Sequence, residues 1–130
     1  MPNPGLAENS LIFPMDLHPP TVDELVHRWL SGRDHTMADA IIPPAGDPEA
    51  AWQAILRVLE HELSGKQIAL LAAGPLESLL AWHGEQFIDR VEAEAKRNPA
   101  FADVLGGVWR HEMPEHIWKR VEKARNGKTW

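Results

Sequence analysis

Residues 74–97 read Gly-Pro-Leu-Glu-Ser-Leu-Leu-Ala-Trp-His-Gly-Glu-Gln-Phe-Ile-Asp-Arg-Val-Glu-Ala-Glu-Ala-Lys-Arg. At 100° per residue, Leu76, Leu79, Leu80, His83, Gly84, Phe87, Ile88, Val91 and Ala95 fall on one broad face. That phase runs unbroken across Gly84, so the stretch reads as one helix from Pro75 to Arg97. It would be about 34 Å long at 1.5 Å per residue. Gly74 stops whatever precedes it, Pro75 suits a first helical position, and Glu77 can cap the new N-terminus. A glycine inside a helix costs up to about 1 kcal/mol relative to alanine, so Gly84 on the apolar face points to a second helix approaching closely.

The same punctuation recurs on either side of this helix. Downstream, Asn98-Pro99 is a cap followed by proline, Phe101, Val104 and Leu105 are the apolar positions, and Gly106-Gly107 ends the segment. Val108-Trp109 leads to a last start at Pro114, with Ile117, Trp118, Val121 and Ala124 on its apolar side and Asn126-Gly127 closing it. Upstream, Thr21 with Glu24 forms a capping box ahead of Leu25, Val26, Trp29 and Leu30, and Ser31-Gly32 ends that helix. Residues 33–46 read as a loop that carries at most a short turn at 36–41. Asp47-Pro48 opens a helix with the stripe Trp52, Ile55, Leu56, Leu59 and Leu63. Ser64 with Gln67 opens a short one whose Ile68, Leu70 and Leu71 make it apolar almost all round, the mark of a buried helix. Five prolines within residues 1–20 make that segment an extended arm, whose Leu11, Ile12 and Phe13 can dock onto the body.

No stretch alternates with period two. The expectation is an all-α fold of about six helices, packed as antiparallel hairpins in a bundle or a short solenoid-like array. It comprises an arm at 1–20, a single helical domain at 21–126 and a loose tail at 127–130. A chain of 130 residues with 44% hydrophobic and 25% charged residues can own a core. With no cysteine, disulfides, thiolate metal sites and thiol catalysis are excluded. No basic segment followed by an apolar run opens the chain, and no apolar run is long enough to span a membrane, so the expected compartment is the cytoplasm.

The net charge of −6 is unevenly spread. Residues 1–95 carry 5 Lys/Arg against 15 Asp/Glu, a net of −10, while residues 96–130 carry 8 against 4, a net of +4. An acidic body repels nucleic acid and anionic membranes and attracts basic partners. The basic end, Arg110, Lys119, Arg120, Lys123, Arg125 and Lys128 with Trp118, reads as a solvated helix face before it reads as a nucleic-acid site.

Chemistry is sparse. His111-Glu112-Met113-Pro114-Glu115-His116 superficially resembles a zinc-protease helix, but that motif needs histidines four apart on one helical turn. Here they are five apart with a proline between them, and the geometry fails. His83, on the apolar face, reads as a half-buried histidine bonded to a carbonyl, and His61, between Glu60 and Glu62, as a surface residue. No phosphate loop, nucleophile elbow or paired-carboxylate spacing stands out. The expectation is a protein that is not an enzyme, with no metal and no cofactor. Trp82, Glu85, Asp89 and Glu92 share the side of the long helix opposite its apolar face. A carboxylate strip is ordinarily a solvated face, yet a large aromatic seldom sits alone on one, so these four are the candidate partner-binding residues.

Gly-Pro-Leu-Glu-Ser-Leu-Leu at 74–80, His83-Gly84, Phe87-Ile88-Asp89, Asn98-Pro99, Leu105-Gly106-Gly107-Val108-Trp109, Met113-Pro114 and Trp118-Lys119-Arg120-Val121 together resemble an uncharacterised bacterial domain family of unknown function. The resemblance covers residues 74–121. It implies a bacterial origin and a compact helical fold, and it carries no activity. The functional expectation is a small acidic protein-binding module, most concretely an immunity or antitoxin-like inhibitor of a basic bacterial toxin. The alternative is an accessory or regulatory interaction domain that can form a homodimer. A histidine-based metal protein ranks third and nucleic-acid binding fourth.

Overall fold

Helix boundaries follow the capping chemistry closely. In the computed structural model, which describes residues 20–32, 35–41, 46–110 and 112–125, the capping box of Thr21 and Glu24 is closed in both directions. The Glu24 amide donates to Thr21 Oγ1 at 3.1 Å and the Thr21 amide to Glu24 Oε1 at 2.8 Å. It opens α1 (Val22–Leu30), which ends at Gly32 with φ 92°, a left-handed conformation that glycine adopts freely. Asp47 accepts from the Ala50 amide at 3.1 Å and opens α3 (Pro48–Val58). Ser64 and Gln67 close a second capping box at α4 (Gly65–Leu71). Asn98 accepts from the Phe101 amide and opens α6 (Pro99–Leu105), and α7 (Glu115–Ala124) begins immediately after Pro114. The proline-rich arm before Pro20 and the tail at 127–130 lie outside the described residues.

Three elements depart from the sequence expectation. A helix, α2 (His35–Ile41), occupies the segment read as a loop with a short turn. It is no surface turn, for Met37, Ala40 and Ile41 are buried beneath α1 and α3. The stripe of α3 continues past the helix itself: the helix ends at Val58, and Leu59 and Leu63 reach the core from the following turn. Conversely α4, expected to be buried, buries only Leu71, leaving Leu70 44% exposed.

Gly74 and Pro75 do not separate two helices. The chain passes from α4 through a π-type turn (Ala72–Leu76) into α5 (Glu77–Arg97). Proline has no N–H to give to the carbonyl four residues back, and its ring crowds that carbonyl. Widening to i→i+5 pairing relieves both. Ala72, Pro75 and Leu76 are buried, so packing holds the axis where local chemistry would break it. No side chain caps the start of α5. Glu77 instead reaches across to the C-terminal segment, where its Oε1 accepts from the Trp109 amide at 3.2 Å.

Every described helix contributes to one core. At its centre Trp52 of α3 packs against Phe87 of α5, with centroids 5.8 Å apart, and edge-on to Phe101 of α6 at 5.6 Å. Arg90 lies over the Phe87 ring and bonds Glu49, so it ties α5 to α3 over the same aromatic group. At the corner between α5 and α6, Glu94 is 7% exposed; its carboxylate accepts from Arg97 and from the Asn98 side chain. The all-α expectation holds: no strand occurs among the described residues.

One pairing departs from the hairpin pattern. Gly84 and Glu85 meet Ile117 and His116, Asp89 and Glu92 meet Arg120, and Ala95 and Lys96 share a groove with Lys123 and Ala124, so from one turn to the next residue numbers rise together along both helices. Helices α5 and α7 therefore run parallel. The segment 98–114, with α6 inside it, carries the chain back to the start of α5 before α7 begins.

Candidate functional site

The candidate surface is built where α7 crosses α5. Gly84 makes the crossing close: a Cβ there would lie 2.9 Å from Ile117 Cγ2, inside the distance that carbon atoms tolerate. This is the close approach that the sequence predicted, and Ile117 is the residue that makes it. Immediately before Gly84 the helix breaks, with His83 at φ −134° and ψ 28°. The His83 ring is half-buried, and its Nε2 lies 2.6 Å from the Ile41 carbonyl oxygen. A carbonyl only accepts, so Nε2 carries the proton. The bond ties α5 to α2. His83 thus has the structural role expected of it, and the helix stays one element with a kink in it.

The kink opens a recess of about 280 Å³ between α5 and the start of α7, lined by Ala81, Trp82, Gln86, Pro114 and Ile117 with Glu85 at its side. Trp82 is 57% exposed. It is neither in the core nor covered by another described element. The volume lies just under the roughly 300–1,000 Å³ of small-molecule clefts, so the recess fits a side chain better than a metabolite.

The carboxylate strip has a different character from the one expected. It is not a bare face, because the basic side of α7 lies along it. Arg120 Nη2 donates to Asp89 and Glu92, each at 2.6 Å, and its Nε donates to Glu92 at 2.9 Å. The hydrogen bonds from Arg120 hold the Glu92 carboxyl below the usual glutamate range against the opposing effect of burial, and the Arg120 charge adds to the lowering. The same two carboxylates raise the Arg120 pKa. Glu85 pairs with His116. Of the four predicted residues, then, Trp82 and Glu85 line the recess together, while Asp89 and Glu92 serve the α5–α7 contact.

Much of the basic segment is accounted for in the same way. Arg125 donates to the Val108 carbonyl at 3.0 Å and lies over the Trp118 ring at 4.8 Å. Lys119 pairs with Glu115. Lys96 and Lys123 flank a groove of about 550 Å³ floored by Ala95 and Ala124, where the last turns of two parallel helices converge. Two helix C-termini carry partial negative charge, which the lysines offset. Lys128 and His111 lie outside the described residues. Among the described residues no three His, Asp or Glu side chains gather as a metal-binding set.

Sequence reasoning passed over Trp109. It is 76% exposed, yet the peptide group that precedes it is held at both its N–H and its carbonyl, and, one residue on, the Arg110 carbonyl accepts from the Met113 amide at 2.9 Å. Its amide donates to Glu77, and the neighbouring Val108, 2% exposed, has its carbonyl held by Arg125. The signal was present as a tryptophan between a Gly-Gly turn and a proline, but its spacing fits the linker reading equally well.

The crossing, the kink and the Trp109 loop all fall inside the stretch matched by a family of unknown function, DUF6869, at residues 34–129. The chain belongs to the DUF6869 family. The match extends the resemblance seen at 74–121 in both directions, taking in α2 to α7 and leaving α1 outside. In this DUF6869 protein α1 is nonetheless integral, since Leu25, Val26 and Trp29 are buried and α1 packs along α3. No curated protein and no solved structure matches the chain significantly. No described helix is long and apolar enough to cross a membrane.

Proposed function

We propose that this DUF6869 protein is a protein-binding module and not an enzyme, and that it docks its partner over the α5 kink. The observation that carries the reading is Trp82, more than half exposed beside a side-chain-sized recess and next to the Glu85 carboxylate. Tryptophans at the centre of interfaces dominate binding energy, and an exposed one beside a recess has no stabilising role to explain it. The net charge of −6 favours a basic partner by steering its approach. In its most concrete form the partner is a basic toxin acting on nucleic acid, and this chain is the cytoplasmic immunity or antitoxin-like inhibitor that covers the toxin's site.

The test is co-expression with the product of the neighbouring gene. Protection of the cells, lost on Trp82→Ala with the melting temperature unchanged, supports the inhibitor reading. A chain that neither binds nor protects against that product overturns it. If Trp82→Ala instead lowers the melting temperature sharply, Trp82 is a core residue and the docking site is wrong.

A further inference from the structure

The recess over the α5 kink has a complement on the same chain. Trp109 projects from a loop tied at the Val108–Trp109 peptide and again at the Arg110 carbonyl, which accepts from the Met113 amide, so presenting the ring costs little ordering on association. The residue that follows it, Arg110, is exposed. It uses Nε to bond the Met113 carbonyl at 3.3 Å, leaving its terminal nitrogens without a partner among the described residues. Trp109-Arg110 is thus an aromatic knob with a positive edge. The recess has a tryptophan wall and a negative edge, since the Glu85 side chain, though paired with His116, is 76% exposed.

Knob and recess are also neighbours. Trp109 is bonded to Glu77, five residues before Trp82 on α5, and the next residue, Arg110, accepts at its carbonyl from the amide of Met113, the neighbour of Pro114, which lines the recess. A patch holding both a knob and its matching hole is self-complementary, which is the requirement for a two-fold interface in which each copy inserts into the other. We infer that the occupant of the recess is a second copy of this chain. Trp109 of each protomer enters between Trp82, Pro114 and Ile117 of its partner, and Arg110 reaches the Glu85 carboxylate.

This goes beyond the toxin-inhibitor reading and does not need it. If both hold, self-association and partner capture compete for Trp82. The test uses the full chain in sedimentation equilibrium over a range of concentrations. The expected result is a reversible species of twice the 14.6 kDa chain mass. Trp109→Ala raises its dissociation constant by about thirtyfold or more, the loss usual for a tryptophan hot spot. At concentrations where both proteins are monomeric, its far-UV spectrum and melting temperature match those of the wild type, because the ring contributes nothing to the core. Glu85→Arg and Arg110→Glu each weaken the dimer, and the double variant restores it. A wild-type chain that sediments at 14.6 kDa throughout overturns the inference. So does a dimer indifferent to Trp109→Ala, or a charge swap that fails to rescue while both single variants remain folded.

Discussion

Gly84 and His83 are adjacent, and each is explained by a different neighbour. Gly84 has no room for a side chain because Ile117 fills the space. Ile117 is β-branched and stiff at χ1, so it cannot swing away. Gly84→Val should destabilise the fold by about 1–3 kcal/mol through overpacking, read as a lower melting temperature. The loss should shrink in an Ile117→Ala background, the signature of a pair in direct contact. His83→Ala should leave the Ile41 carbonyl short of a donor, costing about 1–2 kcal/mol. Because the tethered Nε2 acts as a donor, His83→Gln, which also carries N–H groups, should recover part of that loss.

Among the elements, the parallel pair of α5 and α7 is the most sensitive to solution conditions. The Glu92 pKa is lowered in the folded state, so its contribution to stability is complete above the ordinary glutamate value of about 4.3. It is lost as the pH falls through that value and then through the lower folded one. Glu49 behaves in the same way, lowered first by the Gln53 hydrogen bond and then by Arg90. The melting temperature should therefore drop between neutral pH and pH of about 3, and Glu92→Gln should flatten that drop. Added salt should weaken the contact at neutral pH, since these charges are largely exposed.

The elements also show what was legible in the sequence. Helices with a strong cap and a long apolar stripe, α1, α3 and α6, begin where the residues say. The expectation failed where packing overrules local chemistry. Pro75 looks like a start, but burial of Ala72 and Leu76 carries the helix through it. Helix α2 is only seven residues long, and is held by the burial of Met37 and Ile41. The candidate site was half legible. Helical phase placed Trp82 and the carboxylates correctly on one side of α5. It could not reveal that Arg120 and His116, some thirty residues later, would lie along that side, because the direction of α7 is a tertiary fact. Trp109 carries no periodic signal at all.

For the whole molecule, the acidic surplus and the basic C-terminal segment are less separate than their numbers imply. Arg120 and Arg125 are spent within the fold, so a nucleic-acid reading loses much of its positive surface. A chain of this kind should show no salt-dependent retention on DNA, and strong retention would reopen that reading. In dilute, monomeric protein Trp82→Ala and Trp109→Ala should both leave the melting temperature within a degree or two, since each ring is largely in solvent and surface changes fall within about 0.5 kcal/mol. Leu71→Ala, by contrast, removes a fully buried side chain and should cost about 2–5 kcal/mol.

The parallel course of α5 and α7 also sets an order of events during synthesis. Helix α5 leaves the ribosome with Gly84, Glu85, Asp89 and Glu92 still without their partners, and nothing made before it supplies Ile117, Arg120 or His116. Until α7 follows, the strip is an apolar seam edged with unneutralised charge, the sort of surface on which chaperones act. A premature stop ahead of α7 would therefore do more than shorten the chain. It would leave α5 without the helix that seals it, and the product should be soluble only while something else occupies that seam.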